Sequence, residues 1–257
     1  MNIIQGKLNF LSLFKRNLIY KLKKKINIDL QDDIDNSSLD ELFKFYNTDK
    51  ANSVDNGTKQ GHGFAKFYEK NLNQFKDKKE INILEIGSFS GASAAAFSKY
   101  FLNSQIYCLD INIRNFKFYS KRIHVFGMDS SNYKMMTTFL NKINFFKKIN
   151  TFDIIIDDGS HILSDQLLAL NFFYKFIGKS GFYIVEDYKL LDHFNHLKDV
   201  NDISIEELAN NVRDKKTFTS KIISDDTIND ILQNNKNIYE YKGNTEKSDI
   251  IFLRKNK

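Results

Sequence analysis

The chain has 257 residues, 42% of them hydrophobic and 27% charged. That length admits one large domain with a full core, or one domain with a small appendage, and the composition excludes a disordered or fibrous chain. The net charge of +6 is uneven, because residues 1–28 hold seven lysines and arginines and no acid. The remainder is nearly neutral, which argues against a nucleic-acid-binding surface. No apolar run approaches the roughly 20 residues of a membrane span. The first residues do not read as a secretory signal, since their basic residues follow the apolar ones without a small-residue cleavage site. Cys108 is the sole cysteine, so an internal disulfide is excluded and a cytoplasmic location fits.

In chain order, Ile4, Leu8, Leu11, Leu18, Leu22 and Ile26 recur at helical spacing and predict a basic amphipathic helix over residues 1–28. Such a helix packs on its own domain or a sister subunit, or it touches an anionic membrane or another partner. Asn36-Ser37-Ser38 starts a short helix through Tyr46. Residues 47–63 are polar, hold Gly57, Gly61 and Gly63, and read as a loop. A helix follows from about Phe64 to Phe75. Strands and helices then alternate: strand Ile81–Ile86, helix Ala92–Phe101, strands Gln105–Asp110 and Arg122–Phe126, helix Asn132–Phe146, strand Thr151–Asp157, helix Ile162–Phe176 and strand Gly181–Glu186. This alternation predicts βαβ units and a parallel sheet. After Asp187 the pattern is less regular, and it closes with a hairpin of Asn237–Tyr241 and Asp249–Arg254 around Gly243-Asn244. The expected division is a helical extension and lid over 1–78 and an α/β domain over 79–257.

The chemistry gathers at the strand ends, where a parallel α/β sheet forms its binding crevice. The first strand ends in Glu85-Ile86-Gly87-Ser88-Phe89-Ser90-Gly91-Ala92-Ser93. Its Glu-x-Gly-x-x-x-Gly spacing differs from the G-x-G-x-x-G of a dinucleotide site and from a P-loop, so a ligand without phosphates fits better. Asp110 ends the next strand, where a carboxylate can accept from both hydroxyls of a ribose. Asp129-Ser130 stands after the third, placed for an adenine edge or for a helix cap. Asp157-Asp158-Gly159-Ser160-His161 and Glu186-Asp187 end two further strands. Four carboxylates at one rim repel unless a cation lies among them. A hard divalent ion held by oxygens answers that need, and His161 beside it can serve as a base. The plainer readings are a helix-start histidine and a solvated strand end. His193 and His196, at i,i+3 after Asp187, could face a substrate or supply metal ligands but read better as surface residues, and His124 and Cys108 read as packing within strands.

Over residues 80–190 this order of motifs resembles the class I S-adenosylmethionine-dependent methyltransferases. The resemblance implies a doubly wound, mostly parallel seven-stranded Rossmann-like sheet whose last strand is antiparallel, with an N-terminal helical extension. It implies that Glu85, Gly87, Ser88, Gly91 and Ser93 at the first turn, Asp110, Asp129 with Ser130, and Asp157 hold the cofactor. Asp158-Gly159-Ser160-His161 with Glu186-Asp187 is further similar to the metal-dependent sugar O-methyltransferases of macrolide tailoring, the macrocin and mycinamicin type, and their bacterial polysaccharide relatives. That likeness implies Mg²⁺, or Mn²⁺ in its place, on Asp158, Glu186 and Asp187, with His161 as base. Asn47-Thr48-Asp49-Lys50 and His62-Gly63 resemble the segment of that family which precedes the cofactor domain and helps cover the site.

The expected function is therefore Mg-assisted methylation of a sugar hydroxyl or similar small polar acceptor, on a small molecule or glycan, in capsule, surface-glycan or secondary-metabolite synthesis. Two alternatives stand beside it. One is transfer to a phosphate-derived or catechol-like oxygen. The other is a non-catalytic cofactor-binding scaffold tethered by its basic N-terminal helix. The apolar faces of the first two helices would also suit a homo-oligomer.

Overall fold

The computed structural model describes residues 10–31 and 37–256. Seven strands form one sheet: β1 (Ile81–Ile86), β2 (Ser104–Asp110), β3 (Ile123–Gly127), β4 (Phe152–Asp157), β5 (Ile177–Glu186), β6 (Asn235–Lys242) and β7 (Asp249–Lys255). Their order is β6-β7-β5-β4-β1-β2-β3. The pairs β4–β1, β1–β2, β2–β3 and β4–β5 are parallel, whereas β7 runs antiparallel to both β5 and β6. The chain moves outward from β1 to β3 on one side and from β4 onward on the other. The crevice where this order reverses, at the carboxyl ends of β1 and β4, is where such sheets bind ligands.

The strands read as near-continuous apolar runs because helices cover both faces. Alternate residues still divide between the faces. Leu84, Tyr107, Ile155, Tyr183 and Leu253 pack with α5 (Tyr133–Lys147), α6 (Leu163–Phe173), α8 (Ile205–Arg213) and α9 (Asp225–Asn234). Ile83, Ile106, Ile154, Ile184 and Phe252 pack with α2 (Leu39–Tyr46), α3 (Ala65–Leu72) and α4 (Ala92–Tyr100). Cys108 is fully buried among the latter. Ser38 starts α2 with a capping box to Glu41, which satisfies two backbone donors of its first turn.

One expectation needs correction, and two stretches gain detail. The N-terminal helix, α1, runs over Phe10–Leu22 and not to residue 28. Ile26–Asn27 leave it to pair in parallel with Phe118–Tyr119, so a backbone pairing distant in sequence overrides the helical spacing. Ile4 and Leu8 lie outside the described residues, as does Asn36. The irregular stretch after Asp187 holds α8, α9 and a one-turn helix, α7 (Leu190–His193). The loop at 47–63 contains a small antiparallel pairing of Ser53–Val54 with Lys59–Gln60.

Candidate active site

Two turns bring the strand ends together. Gly87 leaves β1 with φ of +85°, and a Cβ there would sit 1.9 Å from the carbonyl oxygen of Asp158. Only glycine allows that approach. The Gly87 amide donates to Leu109 and the Asp158 amide to Ile86, which locks the turns after β1 and β4 to neighbouring strands. Phe89, His161 and Asp187 all carry positive φ on this rim. Non-glycine residues in that region hold backbone strain of the kind that collects at functional sites.

Two cavities share Gly87 as a wall. One, of about 190 Å³, is lined by Asp110, Ile111, Asp129, Ser130, Asp157 and Asp165, among others. The Asp110 carboxylate is oriented by the amides of Phe89 (2.7 Å) and Asn112 (2.5 Å). Asp129 accepts from the Ser131 amide and hydroxyl. Asp157 accepts from the Gly159 amide, and burial pushes its carboxyl up to about 7. The second cavity, of about 310 Å³, lies between residues 47–55 and the Ser88–Ser90 turn and reaches Ser93 and Asp158. Glu85 is fully buried under this turn, accepts from the Ser93 hydroxyl, and is pushed up to about 7 by burial. Gly91 lines neither cavity. Its φ of +77° starts the helix in a left-handed turn, and a Cβ there would also strike the Phe116 ring at 2.3 Å, so backbone and packing both call for glycine.

Beyond the second cavity, Asp158, His161 and Asp187 each offer a ligand atom, all within 4.8 Å of one another. His161 Nε2 stands 3.9 Å from Asp158 Oδ1. Asp187 Oδ1 and His161 Nδ1 are buried without a hydrogen-bond partner among the described residues. Buried polar atoms left bare are costly, and both belong to residues of this cluster. Burial, with the Asp158 charge, pushes the Asp187 carboxyl up to about 7. A cation would relieve that repulsion.

Glu186 is placed differently from its expected companions. It is buried, and its two oxygens accept from Lys50 Nζ (2.6 Å) and from the Tyr68 hydroxyl. Lys50 Nζ also donates to Asp158 at 2.6 Å. Burial alone would push the Lys50 ammonium down, but Asp158 and Glu186 hold it well above its ordinary value. His62 Nδ1 lies 3.6 Å from Asp187. Thus Lys50, His62 and Tyr68 reach the acidic rim from outside the sheet. No periodicity marks Lys50; the one signal was the likeness of Thr48-Asp49-Lys50 to a family segment. His193 and His196 belong neither to the three-residue cluster nor to the cavities described.

Comparison with known proteins bears on this arrangement. No protein-family model matches the chain. A solved structure of the MycE methyltransferase, a complex with Mg and S-adenosylhomocysteine, superposes with a TM-score of 0.64 over 86% of this chain and 55% of its own, at 20% identity. The fold is that of a class I methyltransferase. Among curated relatives, the L-olivosyl-oleandolide 3-O-methyltransferase of Streptomyces antibioticus is 29% identical over 157 residues, 58% of this chain and 36% of that one. The mycinamicin VI 2''-O-methyltransferase of Micromonospora griseorubida is 27% identical over 133 residues, 49% of this chain and 31% of that one. The matches therefore span about a third of the curated relatives' length. Among the described residues, no helix is long and apolar enough to cross a membrane.

Proposed function

We propose that this chain is an S-adenosylmethionine-dependent O-methyltransferase assisted by a divalent cation, with a sugar hydroxyl as acceptor. The observation that carries the reading is the convergence of Asp158, His161 and Asp187 at the mouth of the Gly87 turn. The relatives' names suggest the acceptor class, since the rhamnosyl tetracenomycin-C 2'-O-methyltransferase and the L-olivosyl-oleandolide 3-O-methyltransferase are both named for glycosylated substrates.

S-Adenosylmethionine supplies a methyl group already activated for transfer. The chain's part is to hold that group and aim an oxygen at it. Asp110, Asp129, Ser130 and Asp157 line a cavity suited to the adenosine end, and Gly87 lets the backbone pass close to the remainder. The bare Asp187 oxygen and the Asp158 carboxylate are hard donors that fit Mg²⁺ or Mn²⁺, with Glu186 behind them. When bound, such an ion supplies Lewis-acid stabilisation of a deprotonating hydroxyl. A sugar hydroxyl is a poor nucleophile because it ionises far above neutral pH. His161 is placed to take its proton, with its Nε2 3.9 Å from Asp158 Oδ1. Asn47, Thr48, Asp49, Lys50, Val54 and Asp55 wall the second cavity on that side.

A screen of methyl transfer from labelled cofactor tests the reading. It would compare sugar nucleotides and glycosylated natural products with catechol and phosphate-bearing acceptors, each with and without a chelator. The proposal expects chelator-sensitive transfer to a sugar hydroxyl. Transfer only to a catechol or phosphate oxygen would overturn the acceptor class, and binding of cofactor without transfer to any acceptor would favour a scaffold role. A capsule, surface-glycan or secondary-metabolite setting belongs to the same proposal, as does a cytoplasmic location.

A further inference from the structure

Helix α1 docks on the domain through a mixed side of two polar and two largely apolar residues, with an apolar stripe turned out. Arg16 donates to the Ile111 carbonyl at 3.0 Å, and Asn17 Nδ2 donates to the Gly127 carbonyl at 3.3 Å. Leu13 is buried, and Tyr20 meets Phe116 edge-on. These four residues share one side of the helix. On the opposite side, Phe14, Leu18 and Leu22 form a stripe at helical spacing and are 59%, 46% and 79% exposed. An amphipathic helix normally buries its apolar stripe, and among the described residues nothing buries this one.

The charge around the stripe points to the occupant. Lys15 and Lys21 flank it, and Lys23 and Lys24 follow it, all exposed. Lys23 reaches the carbonyl of Arg114, a further cation beside the helix end. No acid occurs between residues 1 and 28. A second copy docking on this face about a twofold axis would set lysine against lysine. An anionic lipid surface, in contrast, accepts the apolar stripe into its interfacial layer and attracts the lysines at its edge. We propose that α1 is an interfacial anchor for anionic membranes. Because Ile111 both holds α1 and lines the smaller cavity, the anchor sits beside the mouth of the candidate active site.

Co-sedimentation with vesicles tests this directly, whatever reaction the site performs. The full chain is mixed with phosphatidylcholine vesicles, or with vesicles containing about 30% phosphatidylglycerol. The proposal expects binding to the anionic vesicles only, weakened as salt shortens the range of the charges. The Leu18→Ser/Leu22→Ser variant is expected to bind at least about tenfold more weakly. A Lys15→Gln/Lys21→Gln/Lys24→Gln variant, which leaves the apolar stripe and its docking side intact, is expected to lose roughly tenfold or more. Unchanged thermal melting would show that the variants fold. Absence of binding to anionic vesicles, or binding that the lysine variant retains in full, would overturn the proposal. So would light scattering that shows a dimer which Leu18→Ser/Leu22→Ser converts to monomer, since a sister subunit would then cover the stripe.

Discussion

The candidate active site is assembled by two regions of opposite character. The strand-end region, from Glu85 to Asp187, places its acids by sheet geometry: each follows an apolar strand, and the register levels Ile86 with Asp157 and Asp157 with Val185. The segment from Lys50 to Tyr68 places its groups by tertiary contact. It carries a cation into the acids, in the form of Lys50 bridging Asp158 and Glu186. The difference teaches that a rim of carboxylates is held apart by its scaffold but made tolerable by a charge delivered from elsewhere.

Loss of the chemistry at the rim is the largest expected effect. His161→Ala or Asp158→Ala should lower methyl transfer at least about 100-fold while binding of S-adenosylhomocysteine persists, as read by labelled transfer and calorimetry. Activity near wild type in either variant would remove that residue from the mechanism. Next comes the delivered charge. Lys50→Met leaves two carboxylates without their buried partner and should cost about 3 kcal/mol in urea unfolding. A cost near zero would mean that the acids need no cation from residues 47–63. The scaffold region is probed by Asp110→Ala, which removes a carboxylate oriented by the Phe89 and Asn112 amides. Affinity for S-adenosylhomocysteine should fall roughly tenfold or more, with little change in stability.

The smallest effect concerns the packed strands away from the site. His124 on β3 pairs with Gln105 at 2.8 Å, and burial pushes it down to about 4 from an ordinary 6.5. The folded chain therefore binds fewer protons here than the unfolded chain between those values. The stability due to neutral His124 is fully present above about 6.5 and is lost as pH falls toward about 4. His124→Gln should flatten that acid loss in thermal melts across the same window, and an unchanged pH profile would contradict it.

The same contrast explains what could be read from the residues alone. The alternation of apolar runs over 81–186 marks strands that are buried on both faces, so sheet, crevice and the acids at its rim were all legible. The terminal antiparallel pair was legible as a hairpin. What stayed hidden depends on contacts distant in sequence. Lys50 lies in a polar, glycine-containing stretch, and nothing local shows that its ammonium is buried 136 residues from Glu186. The turn at Gly91 is legible as a strand-to-helix glycine, but its close packing against Phe116 is not, because local spacing does not specify that neighbour. In α1 the helical spacing was visible, but its apolar stripe turned outward and Ile26 left the helix for a strand pairing.

The central claim is that the rim acids hold a metal beside a bound methyl donor. Calorimetry tests it most directly: S-adenosylhomocysteine is titrated into chelator-treated protein, and Mg²⁺ is then titrated into wild type and Asp158→Ala. The account predicts cofactor binding in both and a Mg²⁺ signal that only wild type shows. Cofactor binding with no Mg²⁺ signal, or with a signal unchanged by Asp158→Ala, would contradict it.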